Sequence, residues 1–167
     1  MKTKAPKNPA ILEVHAFAFL NECRAKYKRQ FALADIPMKE WEAIAAQGFS
    51  YVWLMGVWER SPESRRQCLT SDDLKKAFTA ALPDWTERNV IGSPYAVKSY
   101  TLDRRLGLHN DLIKVRRKMN EAGLRLILDF VPNHLAMDHA WIKTPDRFVR
   151  GSKEDHEINP GLFFGSP

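Results

Sequence analysis

Residues 124 to 134 read Leu-Arg-Leu-Ile-Leu-Asp-Phe-Val-Pro-Asn-His. From Leu124 to Val131 the run is apolar rather than alternating, as expected of a strand covered on both faces of a parallel sheet. It ends in a packet of polar side chains: Asp129, Asn133 and His134. In α/β proteins ligands gather at the C-terminal ends of the strands. The stretch therefore predicts both a buried strand and the rim of a site.

Working outward, Asn110 can cap a helix whose apolar stripe is Leu112, Val115, Met119 and Ala122. Gly123 is placed to close it in a left-handed conformation. The same helix–glycine–strand pattern occurs earlier. Asp35 can cap a helix with Pro37 in its first turn, Trp41, Ile44 and Ala45 on one face, and Gly48 at its end. The run Tyr-Val-Trp-Leu-Met-Gly-Val-Trp over 51–58 then predicts a second apolar strand. Units of this kind build a parallel sheet.

Before them, residues 1–10 read as a disordered lead-in, 11–19 as a first strand and 21–30 as a polar connection. Between the second strand and the second helix lie about fifty residues, far more than an α/β loop needs. Ser71 to Leu82 is expected to be a short helix there, capped by Ser71 with Asp72 and Asp73 at its positive end. So long an excursion from the C-terminal end of a strand suits binding. Residues 135–167 are loop-rich, with aromatics at Trp141, Phe148, Phe163 and Phe164.

Bulk properties narrow the classes. The length, 167 residues, suits one ordinary domain. The net charge is +6, but the basic residues are dispersed and no basic run alternates with aromatics, so a nucleic-acid partner is not expected. No stretch approaches the ~20 apolar residues of a membrane span. Glu13 and His15 interrupt the one N-terminal run that resembles a signal peptide. Cys23 and Cys68 make neither a disulfide framework nor a metal spacing, which suits a reducing, cytoplasmic setting.

The candidate site residues each admit two roles. Asp129 inside an apolar strand must be paired, either to anchor a loop or to organise a site. Asn133 offers a carbonyl oxygen to a hard cation such as calcium, or serves as a turn residue after Pro132. His134 can donate to a substrate hydroxyl or be structural. Tyr95, in a turn marked by Gly92 and Pro94, can stack on a sugar ring or pack under the loop. His134 and His139 lack the helical His-Glu-x-x-His pattern of a zinc site, and no nucleophile elbow, phosphate loop or dinucleotide fingerprint is present.

Taken together, these segments resemble the α-amylase family of glycoside hydrolases (family 13). Asp129-Phe-Val-Pro-Asn-His134 is similar to that family's first conserved region, at the end of its third barrel strand. Gly48 to Trp58 resembles its second-strand region, and Tyr95-Ala-Val-Lys-Ser-Tyr100 with Leu106-Gly107 resembles the lead to its third helix. The resemblance spans about residues 11–167.

The resemblance implies an α/β fold: part of a (β/α)₈ TIM barrel over 11–138, comprising the first three βα units, with a loop-rich domain B beginning at 139 and running to 167. It implies that Tyr95 and His134 bind the sugar beside the cleaved bond, that Asp129 organises the loop, and that Asn133 is a calcium ligand in members that bind calcium. The family's chemistry is retaining, with a carboxylate nucleophile and a carboxylic acid/base. Those groups follow later strands, and no Gly-x-Arg-x-Asp motif occurs in this sequence. The expectation is thus an N-terminal, truncated portion of an enzyme acting on α-glucans or oligosaccharides, without turnover by itself. The alternative is a non-catalytic sugar-binding remnant, or a half-barrel that needs a partner chain. Open strand edges would favour self-association.

Overall fold

A computed structural model of the chain describes residues 8–147, 149 and 151–162. Residues 1–7 of the expected lead-in, and Phe148, Phe163 and Phe164, lie outside the described residues. The chain groups into two compact units, one of residues 1–59 with 99–131 and one of 60–98 with 132–167.

The first unit is built on a parallel sheet. β1 (Ile11–His15) leads into α1 (Ala16–Tyr27), then α2 (Met38–Ala46), then β2 (Tyr51–Met55). The expected strand over 11–19 is therefore only half right. His15 caps α1 by accepting from the Ala18 N–H, and the helix buries Ala16, Phe17, Leu20 and Cys23 on one face. Four of the nine residues expected as strand, and most of the expected polar connection, are thus one amphipathic helix.

The helix expected from Asp35 also begins later. Leu33–Asp35 is a single 3₁₀ turn, and the Asp35 carboxylate accepts from the Ala32 N–H instead of capping α2. Gly48 does adopt the left-handed φ of +90° expected of it.

The expected strand 51–58 is two strands. Gly56, at a φ of +76°, turns the chain, and β3 (Trp58–Arg60) follows. β2 alternates: Val52 and Leu54 are buried, while Tyr51, Trp53 and Met55 are half-exposed. Through the 60–98 segment run α3 (Pro62–Thr70) and α4 (Asp72–Ala81), and then β4 (Val97–Leu102), which pairs with β3 in a second sheet. Next come α5 (Asp111–Glu121) and β5 (Arg125–Leu128), with α6 (Lys153–Ile158) near the end of the described chain.

The parallel sheet has the order β1-β2-β5. Leu12 sits opposite Val52 and Leu54 opposite Leu128, so the strands are in register with their C-terminal ends together. Around them the unit's core gathers Leu20, Ile36, Trp41, Val115, Met119 and Leu124, all nearly inaccessible to water. Burial on this scale, roughly 1.5–3 kcal/mol per large side chain, is what holds the strand ends where they are. Asn110 does not cap α5 through its side chain. Asp111, the first helical residue, instead accepts from the Leu108 N–H, just before the helix, at 2.8 Å.

Candidate functional site

In the first unit the polar packet is built around Asp129, one residue past the end of β5 and only 7% exposed. A buried carboxylate must be hydrogen-bonded. One oxygen accepts from the Trp53 indole N–H at 2.7 Å, and the other accepts from the Gly56 N–H at 2.6 Å. Trp53 is on β2 and Gly56 is the turn just beyond it, so the carboxylate ties the C-terminal ends of two parallel strands. With both oxygens held this way, Asp129 orders backbone and is not a free nucleophile.

Among the described residues the backbone beyond β5 has no strand neighbour and takes side-chain partners instead. The Trp58 indole donates to the Asp129 carbonyl at 2.8 Å. The Tyr100 hydroxyl accepts from the Val131 N–H at 2.8 Å and lies 3.3 Å from the Val131 carbonyl. The Tyr100 ring meets Trp58 edge-on at 5.4 Å and Phe130 at 6.1 Å. Trp53 and Trp58 thus both act as hydrogen-bond donors.

In the second unit stand Tyr95, Asn133 and His134. Tyr95 is 39% exposed, in a turn whose backbone is held by the Ser93 hydroxyl accepting from the Tyr95 N–H at 3.2 Å. That turn presses on α3. Gly92 has a φ of +83°, and a Cβ on it would lie 3.3 Å from the Arg65 nitrogen. Arg65 in turn donates to the carbonyls of Val90 and Glu87, at 2.8 and 2.7 Å. Asn133 and His134 are exposed, in a loop that turns back at Ala136, whose carbonyl accepts from the His139 N–H at 2.9 Å. Among the described residues no hydrogen-bond or ring partner occupies the His134 imidazole.

α3 was not anticipated from the sequence, though its signal is there. Ser61-Pro62-Glu63 supplies an N-cap, a proline at the first helical position and an acid in the first turn. Ser61 accepts from the Ser64 N–H at 2.9 Å. Glu63 is gripped by the Arg66 guanidinium at 2.8 and 2.5 Å, which holds its carboxyl below the usual carboxylate range. The helix at 72–81 begins as expected, with the Ser71 hydroxyl accepting from the Leu74 N–H.

Calcium needs six to eight oxygens, several of them carboxylates. Among the described residues no three carboxylates, imidazoles or thiols are gathered in one place. The residues present therefore do not by themselves make a calcium site around Asn133. Among the described residues no helix is long and apolar enough to cross a membrane.

The comparisons agree with this architecture. The family described as "Alpha amylase, catalytic domain" matches residues 44–159, a span that contains Asp129, Tyr95, Asn133 and His134. A noncanonic maltogenic α-amylase from Thermotoga neapolitana superposes with a TM-score of 0.58 at 24% identity, over 87% of this chain and 28% of that one. An α-amylase from Lactobacillus plantarum gives 0.56 at 19% identity, over 86% and 27%. A trehalose-6-phosphate hydrolase from Bacillus licheniformis gives 0.52 at 15%, over 89% and 21%. At these identities the likeness concerns fold. The chain spans less than a third of the length of each of these solved proteins. Among curated proteins no sequence matches. With more than half of its residues matched by that family, the chain belongs to the α-amylase catalytic-domain family, whose fold is the TIM barrel.

Proposed function

We propose that this chain forms the opening three βα units of an α-amylase-type (β/α)₈ barrel and contributes sugar-contacting residues to a glycoside hydrolase or transglycosylase acting on α-glucosidic bonds. Tyr95 stacks on a glucose ring and His134 donates to one of its hydroxyls. Asp129 keeps the strand ends in place. The nucleophile and the acid/base come from outside these 167 residues, so the chain by itself turns over nothing. It works in the cytoplasm, where its two cysteines, both free thiols, stay reduced.

One observation carries this reading. The two ring side chains that the family resemblance marks for sugar contact are both exposed, both lie in the same compact unit, and both fall inside the matched span. An aromatic face for C–H groups and an imidazole donor are two kinds of contact a pyranose ring uses. The similar solved proteins are a maltogenic amylase, an α-amylase and a trehalose-6-phosphate hydrolase, so the proposed substrate class is α-glucosides rather than one sugar.

Titration of the purified chain with maltoheptaose, followed by amide NMR, tests this. Shifts should concentrate in residues 92–97 and 132–139. Tyr95→Ala should weaken the affinity about tenfold, equivalent to roughly 1.4 kcal/mol. Incubation with starch should release no reducing sugar. Shifts confined elsewhere, or affinity indifferent to both Tyr95→Ala and His134→Ala, would remove the proposal.

A further inference from the structure

We propose that the first two turns of α3 are a bracket on which both sugar-contacting residues are mounted, with Ser64 and Asp138 as its positioning residues. The inference rests on the sugar-contact reading of Tyr95 and His134, and goes beyond it by saying what fixes them.

Two connections run from the same helix. On one side, the Ser64 hydroxyl accepts from the Ser93 N–H at 3.3 Å, and the Ser93 hydroxyl accepts from the Tyr95 N–H at 3.2 Å. The Ser61 N–H donates to the Ala96 carbonyl at 2.9 Å, and Arg60 donates to the Gly92 carbonyl at 2.7 Å. The turn that bears Tyr95 is thus held along its length by residues 60–65. Gly92 is required there twice over, by its positive φ and by its approach to Arg65.

On the other side, Asp138 brings a carboxylate to the start of α3, with one oxygen 3.5 Å from the Glu63 N–H. That contact is long, but it places a negative charge at the positive end of a helix, where the unpaired N–H groups favour it. The other oxygen is fully buried and has no hydrogen-bond partner among the described residues. One turn further along, the Gln67 amide donates to the Met137 sulfur at 3.3 Å. The loop that bears His134 is therefore seated on α3 through Met137 and Asp138.

A helix nine residues long is stiff compared with either loop. Mounting both loops on it fixes Tyr95 relative to His134 without requiring the loops to touch. Ordering both ahead of binding removes an entropic penalty that the sugar would otherwise meet. No role in bond cleavage is assigned to Ser64 or Asp138.

The test uses the whole chain and two readouts. Ser64→Ala should speed hydrogen exchange at Tyr95 and its neighbours, and Asp138→Ala should do so across 134–139, each by about tenfold or more. Exchange in β2 and β5 should stay as in the parent. Each variant should weaken maltoheptaose binding several-fold, while Ser64→Thr, which keeps the acceptor hydroxyl, should restore most of it and Asp138→Asn, which keeps an acceptor oxygen but loses the charge, only part. Unchanged exchange in both alanine variants overturns the bracket whether or not sugar binds. If Tyr95→Ala abolishes binding but the bracket variants bind like the parent, the positioning role falls and the sugar-contact reading stands. If neither Tyr95→Ala nor His134→Ala affects binding, the sugar-contact reading falls, and the bracket falls with it as a device for sugar.

Discussion

The Trp53 indole and the Asp129 carboxylate, 76 residues apart in the chain, are joined at 2.7 Å across the ends of two paired strands. This contact explains why a charge is tolerated where the sequence is otherwise apolar. It also sets the first expectation. Asp129→Ala removes the acceptor of the part-buried Trp53 indole and of the buried Gly56 amide, and should cost about 3 kcal/mol by the usual penalty for such groups. Trp53→Phe removes one donor while leaving the Gly56 bond, and should cost less. Urea unfolding of the two variants decides the matter, and a Trp53→Phe change as damaging as Asp129→Ala would contradict it.

A second expectation concerns acid. Hydrogen bonds from Lys114, and then from the Leu108 N–H, hold the buried Asp111 carboxyl below the ordinary carboxylate range. A carboxyl with a lowered folded-state pKa adds stability above its unfolded value of ~3.9, and that stability is lost as the pH falls through the folded value. Lys114 is largely exposed, so its share is screened. Asp111→Asn keeps an acceptor for Leu108 and loses the charge. It should lower stability at pH 7 by roughly 1 kcal/mol and make little difference near pH 2. Thermal melts at both pH values check this, and an equal deficit at both would count against it.

Helix ends and the parallel helix–glycine–strand units were legible where local chemistry acts alone, whereas the strand order and the β3–β4 pair were not. Gly48 and Gly123 were identifiable as helix stops because no other residue takes a positive φ so readily, and both adopt one. Ser71 was legible as a cap for the same local reason. The errors came where two signals overlapped. Ala16 to Leu20 is apolar enough for a strand, and only the cap at His15 marks the change to a helix. Within 51–58 the apolar run hides the turn at Gly56, whose amide is drawn to Asp129 across the sheet. The candidate site followed the same division. Asp129, Tyr95, Asn133 and His134 stood out as residue types in a pattern. The supporting donors Trp53 and Trp58 and the acceptor Ser64 did not, because their partners lie 29 to 76 residues away and only the fold brings them together.

Exposed apolar surface beside strand edges motivates a third expectation. In the first unit β1 and β5 are the outer strands of the parallel sheet, and Phe130, just past β5, is 77% exposed. An edge with unpaired backbone groups next to a large apolar ring favours contact between copies. The purified chain is expected to associate as its concentration rises, and Phe130→Ser should shift that association to higher concentration. Sedimentation over a range of concentrations measures it. A chain that stays monomeric throughout would dispose of the idea.

The last expectation separates packing from hydrogen bonding at Tyr100. Its ring packs against Trp58 and Phe130, and its hydroxyl alone meets the Val131 N–H and carbonyl. Tyr100→Phe keeps the ring contacts and leaves a backbone N–H without its partner at a half-exposed position, where water can partly replace it. The loss should be about 1 kcal/mol. Tyr100→Ala, which also removes the ring pairs, should lose about 1–3 kcal/mol more. The two changes should differ in hydrogen exchange too. Tyr100→Phe should speed exchange chiefly at Val131, whereas Tyr100→Ala should spread the effect to Trp58 and Asp129. If Tyr100→Phe behaves like the parent at the Val131 amide, the hydroxyl is not what holds the chain as it leaves β5, and the aromatic contacts carry that work.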